Sequence, residues 1–145
     1  MGYKRKARVL FLSYANNCCS QLAEAFANAL GSDWIEARSA GFEPQPIDPL
    51  TVAAMRETGV QIAANSAKYL DDALLHWADM VVTLDPQSDT LCPALPPGVQ
   101  KRHYPFPDAA CGTIESCRML RDEVRTRIEG MIGGMKMLQR NSAEP

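Results

Sequence analysis

The chain has 145 residues, of which 46% are hydrophobic and 22% are charged, and its formal net charge is −2 at pH 7. This length can bury the core of one domain but not of two, so we expect a single domain over residues 1–145. The near-neutral charge argues against nucleic acid as a partner, and no window approaches the ~18 apolar residues that a membrane span needs.

The ends of the chain and its cysteines support three further expectations. The basic run at residues 4–8 indicates a solvated arm, so residues 1–6 and the tail 139–145 are predicted to be flexible. The five cysteines are an odd number without the spacing of a secreted disulfide scaffold. This pattern predicts free thiols and a cytoplasmic location. No resident cofactor is predicted.

The first predicted elements are an apolar strand, a small polar turn and a helix. Val9–Leu12 has the composition of a buried strand, Ser13–Ser20 forms the turn, and Gln21–Leu30 shows apolar residues at helical spacing. Ser20 is the predicted N-cap, and Gly31 the predicted left-handed end. A strand that turns directly into a helix directs backbone N–H groups and the positive end of the helix dipole to one point, which suits an oxyanion.

The middle of the chain continues the alternation of strands and helices. Residues 34–39 predict a second strand, and Asp48 followed by Pro49 predicts the capped start of a helix. A short amphipathic helix is expected between residues 63 and 77. Residues 80–84 are continuously apolar and β-branched, which is typical of a central parallel strand.

The last third of the chain contains two proline-rich loops, a strand and a long helix. The prolines predict irregular structure over residues 85–98 and 105–112, with a strand over 99–104 between them. Thr113 is the expected cap of the final helix, whose apolar stripe comprises Leu120, Val124, Ile128, Met131, Ile132 and Met135. The order of elements predicts an α/β fold: one three-layer domain with a four-stranded parallel sheet, helices on both faces, and a ligand at the carboxyl ends of the strands.

Several segments resemble a known family. Val9–Ala25 resembles the phosphate loop of the low-molecular-weight protein tyrosine phosphatases, and most closely that of the thioredoxin-coupled arsenate reductases that share their fold. The other matching segments are Arg38–Gly41, Pro49–Leu50, Ser66–Leu70, Asp79–Leu84, Cys92–Pro93, His103–Asp108 and Val124–Ile128. The resemblance runs from Val9 to about Ile132 and implies a low-molecular-weight tyrosine phosphatase-like fold.

The resemblance also implies roles for individual residues. The family loop carries a cysteine, five residues, then arginine and serine; in register, Ser13 takes the position of the nucleophilic cysteine and Cys19 that of the arginine. Asp108 matches the general acid and Cys92 the last relay cysteine, while Asp85 stands where the middle relay cysteine belongs. The remaining anion-binding loop residues are Tyr14, Ala15, Asn16, Asn17, Cys18 and Ser20.

A second group of matched residues lies beneath the loop. Asn16, Glu24 and Ser39 match positions that hold a potassium ion in some of the resembling reductases, and Lys68 stands where those enzymes have an aspartate. Two interpretations are open. Either the Lys68 ammonium replaces the ion and supports the loop, or Glu24 and Lys68 form an ordinary surface pair that contributes little.

The substitutions in the loop argue against the family chemistry. The Ser13 hydroxyl has no general base in this motif and cannot perform thiol–disulfide exchange, so reduction by the family route is excluded and a thioredoxin partner is doubtful. The loss of arginine at position 19 removes two charge-assisted bonds to an oxyanion. Backbone N–H groups and Ser20 are then expected to hold phosphate, sulfate or arsenate loosely.

The adjacent cysteines allow two interpretations. Cys18 and Cys19 are either buried apolar filler or, with Cys92, a soft-metal trap suited to arsenite. Three functions therefore remain: a non-catalytic relative that binds an oxyanion or a protein, which we favour; an active arsenate reductase or phosphatase that uses altered cysteines; and a thiol sensor or chaperone for soft metals.

Overall fold

The computed structural model describes residues 5–62, 66–106 and 112–143. Four strands and five helices are found in this part of the chain. In order they are β1 (Ala7–Leu12), α1 (Cys19–Leu30), β2 (Ile35–Ala40), α2 (Pro49–Arg56), α3 (Asp72–Trp77), β3 (Met80–Thr83), α4 (Pro86–Leu91), β4 (Gln100–His103) and α5 (Ile114–Ala143).

The strands form one parallel sheet in the order β2-β1-β3-β4. Val9 of β1 pairs with Ala37 of β2 on one side and with Met80 of β3 on the other. The predicted four-stranded parallel sheet is therefore confirmed. The continuous apolar run of β3 does lie inside the sheet, between β1 and β4.

Side chains from the two faces of the sheet enter separate hydrophobic clusters. Val9 and Phe11 pack with residues of α1, α2 and α5, whereas Leu10 and Leu12 pack on the opposite face with Leu75 of α3. Alternate residues of a strand point to opposite faces, so β1 contributes to both clusters. Helices cover both faces, as predicted.

Both ends of α1 differ from the prediction. The helix begins at Cys19, and Cys18 is its N-cap without a side-chain cap bond, so Ser20 lies inside the first turn. Gly31 has φ −126° and is not left-handed. A Cβ at Gly31 would lie 2.7 Å from Ile132 Cγ1. A side chain at position 31 would therefore force Ile132 to shift, because α1 and α5 approach closely there.

A helix occupies part of the segment predicted to be irregular. α4 begins with Pro86, and Asp85 caps it: Ser88 N–H donates to Asp85 Oδ1 at 2.8 Å. The prediction was wrong because it treated Pro86 as a helix breaker. Proline is tolerated at the first helical position, where its missing N–H would have no partner within the helix.

The flexibility of residues 1–6 and 139–145 stays a prediction, whereas one prediction for the cysteines needs correction. Arg5, placed in the flexible arm, donates to Asp79 Oδ2 at 2.7 Å, and α5 stays helical as far as Ala143. Residues 1–4 and 144–145 lie outside the described part. Cys117 is disulfide-bonded, so the prediction that every thiol is free is wrong there. None of the helices described is long and apolar enough to cross a bilayer.

Candidate functional site

The loop between β1 and α1 is held by its carbonyl groups. The N–H groups of Phe42 and Glu43 donate to Tyr14 O at 2.8 and 2.9 Å, and Gln45 N–H donates to Ala15 O at 3.1 Å. Asp48 N–H donates to the carbonyl of Asn17 in the same way, at 3.3 Å. The segment 42–48 thus binds the outward carbonyls of the loop. Two N–H groups of the loop have side-chain acceptors: that of Tyr14 donates to Asp85 Oδ2 and that of Asn16 donates to Ser13 Oγ.

Gly41 lets the loop sit close to the end of β2. A Cβ at this position would lie 2.8 Å from Tyr14 O and 2.9 Å from both Asn16 N and Ser13 O. Real Cβ atoms do not approach backbone atoms so closely, so any side chain would push the loop away. The segment that follows β2 therefore helps to define the curvature of the loop.

Asn16 organises the interior of the loop. It is fully buried and has φ 47°, a left-handed conformation that asparagine tolerates better than most residues. Its Nδ2 donates to Ser20 Oγ at 2.8 Å, and its Oδ1 accepts from Lys68 N–H at 2.9 Å and from Gln21 Nε2 at 3.2 Å. One side chain thus connects the loop to α1 and to the segment before α3.

Ser13 occupies the centre of the loop. Its side chain is buried, its Oγ lies 2.5 Å from Ser20 Oγ, and it accepts from Asn16 N–H at 3.2 Å. Both contacts are with neutral groups. Among the described residues no base therefore lies in hydrogen-bond contact with the Ser13 hydroxyl, which agrees with the expectation for a serine at this position.

Cys19 is the first residue of α1, and its thiol lies in a desolvated environment. Burial raises the pKa of Cys19 far above its ordinary value of 9, and the nearby Cys18 and Asp85 raise it further. The N–H groups of Cys19 and Ser20 favour the thiolate but are outweighed. Burial thus opposes the thiolate that the predicted soft-metal site would need and outweighs the effect of the helix N-terminus.

Cys18 is a core residue. Its side chain is buried in the cluster that contains Phe26 and Met55, and its Sγ accepts from Thr51 Oγ1 at 3.2 Å. Burial is also the main reason why the pKa of Cys18 is raised. Of the two interpretations that the sequence left open for this cysteine, the structure favours apolar filler.

The structure does not bring the three cysteines of the predicted soft-metal trap together. Cys18 belongs to the cluster on one face of the sheet and Cys19 packs against it, whereas Cys92 packs against the cluster on the opposite face. Burial raises the pKa of Cys92 as well. In residues 5–62, 66–106 and 112–143 no three His, Cys, Asp or Glu side chains form a metal site.

The predicted support residues do meet beneath the loop. Ser39 donates its hydroxyl proton to Glu24 Oε1 at 2.6 Å, and Lys68 Nζ lies 3.9 Å from the same oxygen and 3.3 Å from Ser66 O. The Lys68 ammonium thus lies among oxygen atoms. Its side chain is 42% exposed, so the ion pair itself adds little stability.

Asp85 is a contact of the loop that sequence reasoning missed. Tyr14 N–H donates to Asp85 Oδ2 at 2.9 Å, while Asp85 Oδ1 caps α4. The signal was available: aspartate followed by proline and, three positions on, by Ser88 is a capping pattern. Asp108, the predicted general acid, lies outside the described residues.

These features define a class of protein: a parallel sheet with helices on both faces, whose first strand and first helix are joined by a loop of the kind that binds anions. Comparison with known proteins identifies the family. Residues 8–143 match the family model described as low molecular weight phosphotyrosine protein phosphatase, and the chain belongs to that family.

Individual relatives point the same way. The chain is 37% identical over 125 residues to arsenate reductase 2 of Staphylococcus epidermidis, covering 86% of this chain and 95% of the relative. Its structure resembles a thioredoxin-dependent arsenate reductase of Corynebacterium glutamicum, with TM-score 0.77, 26% identity and coverage of 91% of this chain but 63% of that longer one. It also resembles an arginine phosphatase from Geobacillus stearothermophilus, with TM-score 0.82, 22% identity and coverage of 96% and 99%.

Proposed function

We propose that this chain is a non-catalytic member of its family that binds an oxyanion or a protein partner. The observation that carries the proposal is the environment of Ser13. Its hydroxyl stands at the nucleophile position in contact with the Ser20 hydroxyl and Asn16 N–H, both neutral groups. A hydroxyl without an adjacent base stays protonated and is a poor nucleophile.

The second loss concerns the charge of the loop. Arginine at position 19 would offer a bidentate, charge-assisted contact to an oxyanion, whereas the Cys19 thiol is neutral. Phosphate, sulfate or arsenate would then be held by backbone N–H groups and the Ser20 hydroxyl. We therefore propose weak oxyanion binding without the cation that stabilises a transition state.

The third loss concerns the thiol relay. One structural relative is described as thioredoxin-dependent. In this chain the nucleophile and middle relay positions hold Ser13 and Asp85, and Cys92 alone retains a thiol among the three. Neither a hydroxyl nor a carboxylate can exchange with a disulfide. We therefore propose that thioredoxin does not support arsenate reduction by this protein. We propose Asp108 for the general-acid position, as the family resemblance implies.

The two alternative functions have less support. An enzyme that used Cys18 or Cys19 as nucleophile would need a thiolate, yet burial raises the pKa of both thiols. A soft-metal sensor would need Cys92 close to them, yet Cys92 packs on the other face of the sheet.

The test is a pair of assays on the purified protein beside an active relative. Hydrolysis of an aryl phosphate and arsenate-dependent oxidation of NADPH with thioredoxin and its reductase should both stay at background. Removal of a nucleophile has lowered turnover by about 10⁶ in another enzyme, so turnover within roughly tenfold of the relative would contradict the proposal. Calorimetric titration with inorganic phosphate measures the remaining oxyanion affinity independently.

A further inference from the structure

The carboxylate of Asp85 makes hydrogen bonds in two directions. Its Oδ1 accepts from Ser88 N–H at 2.8 Å and its Oδ2 accepts from Tyr14 N–H at 2.9 Å. The side chain is 8% exposed. The same carboxylate therefore caps α4 and takes the N–H of the residue that directly follows Ser13 in the loop.

Asp85 acts on both ends of the loop. Besides its bond to Tyr14 at the start, its charge contributes to the raised pKa of Cys19 at the end. The loop carbonyls, in contrast, are occupied by N–H groups of the segment 42–48. The Asp85 carboxylate thus already occupies one backbone N–H of the loop, a donor of the kind that would hold an external oxyanion.

No cation of the loop offsets this charge. Position 19 holds a neutral thiol, and Lys68 lies beneath the loop, where its Nζ is 3.9 Å from Glu24 Oε1. Like charges close together in a partly buried site repel strongly, because the protein screens them less than water does. Among residues 5–62, 66–106 and 112–143 no Lys, Arg or His forms an ion pair with Asp85, so an incoming dianion would be repelled by its carboxylate.

We propose that the Asp85 carboxylate is an internal anion of the loop that competes with external oxyanions. It occupies the N–H of Tyr14 and repels dianions, and so it determines which ligands the loop accepts. The inference rests on the proposed oxyanion-binding function and adds to it the residue that limits affinity.

The experiment is a calorimetric titration with sulfate, which stays a dianion throughout the neutral pH range. Asp85→Asn removes the charge and keeps a residue type suited to capping α4. Asp89→Asn is the matched control, because it makes the same charge change on the same helix while Asp89 contacts Lys101 at 2.8 Å rather than the loop. We expect Asp85→Asn to bind sulfate at least about tenfold more tightly than wild type, and Asp89→Asn to match wild type.

The outcomes separate this inference from the proposed function. Equal sulfate affinity in wild type and Asp85→Asn would overturn the inference but leave an oxyanion-binding protein. Binding by the variant alone would support the inference and contradict oxyanion binding by wild type. If neither protein binds sulfate, both fail.

A second readout does not depend on sulfate. Hydrogen exchange of the Tyr14 amide should be faster in Asp85→Asn than in wild type and in Asp89→Asn, because its acceptor is altered only there. Unchanged exchange would overturn the inference. Asp85→Ser, which also suits an N-cap, replaces the asparagine variant if that variant does not fold.

Discussion

At the scale of single residues, the side chain of Asn16 shapes the loop, whereas the proposed reactive positions are 13 and 19. The buried side chain of Asn16 still joins Ser20, Gln21 and Lys68 through hydrogen bonds of 2.8–3.2 Å. These contacts do not require a thiolate at position 13 or a guanidinium at position 19. The contacts of the Asn16 side chain therefore hold the loop to α1 and to Lys68 without involving the side chains at positions 13 and 19.

The thiols provide a test at this scale. Because burial raises the pKa of Cys18 and Cys19, we expect iodoacetamide to alkylate both far more slowly at pH 7 in the folded protein than in urea. Mass spectrometry of peptides after timed labelling measures the rates, and the urea-unfolded chain is the control. Labelling of Cys19 as fast as in urea would show that a thiolate is present and would reopen the nucleophile alternative.

The register of the loop predicts which family positions Ser13 and Cys19 occupy. It does not predict the environment of the thiols at positions 18 and 19. The pKa of Cys18 depends on Thr51 and Asp48, and that of Cys19 depends on Asp85. These residues come from other parts of the chain. The helix dipole alone predicts a lowered thiol pKa. The pKa is raised instead, because burial opposes the dipole and burial is a property of the tertiary fold.

At the scale of elements, α1 and α5 pack closely because Gly31 has no side chain. Gly31→Ala would place a Cβ 2.7 Å from Cγ1 of the buried Ile132, and we expect it to destabilise the fold by about 1–3 kcal/mol, as overpacking does. Gly130→Ala is the control, since its Cβ meets nothing within 4 Å and alanine favours a helix by up to about 1 kcal/mol. Urea unfolding measures both, and equal stability of the two variants would refute the packing role.

The ion pairs that join Glu57, at the end of α2, to α5 should weaken as the pH falls. Glu57, directly after α2, accepts from Arg118 Nη2 at 2.6 Å and from Arg121 Nη1 at 2.8 Å, which lowers its pKa from 4.5 to about 2. A depressed folded pKa means that the contribution is complete above pH 4.5 and is lost as the pH falls toward about 2. As the pH falls from 4.5 toward about 2, the free energy of unfolding of Glu57→Gln should therefore decrease less than that of wild type. Urea unfolding at each pH measures it. An unchanged pH dependence would contradict the assignment, with Glu123→Gln as the control.

At the scale of the whole molecule, the topology could be predicted from alternation of elements and from the resemblance along the chain. The four parallel strands and the long apolar stripe of α5 follow from periodic patterns in the local sequence, whereas the strand order β2-β1-β3-β4 comes from the structure alone. The contact between Asp85 and Tyr14 could not be predicted, because it joins residues 71 positions apart and α4 was not expected. The separation of Cys92 from Cys18 likewise depends on which face of the sheet each loop reaches.

We propose that the family scaffold is intact and that its chemistry is lost through the side chains at positions 13 and 19. The most direct measurement is aryl-phosphate turnover of Ser13→Cys combined with Cys19→Arg, beside each single variant. We expect hydrolysis from the double variant and background from both single variants, because a nucleophile without a cation, or a cation without a nucleophile, cannot complete the reaction. Adding Asp108→Asn to this double variant should lower its turnover, because Asp108 is the proposed general acid. A double variant that folds and binds phosphate but shows no hydrolysis would contradict the claim.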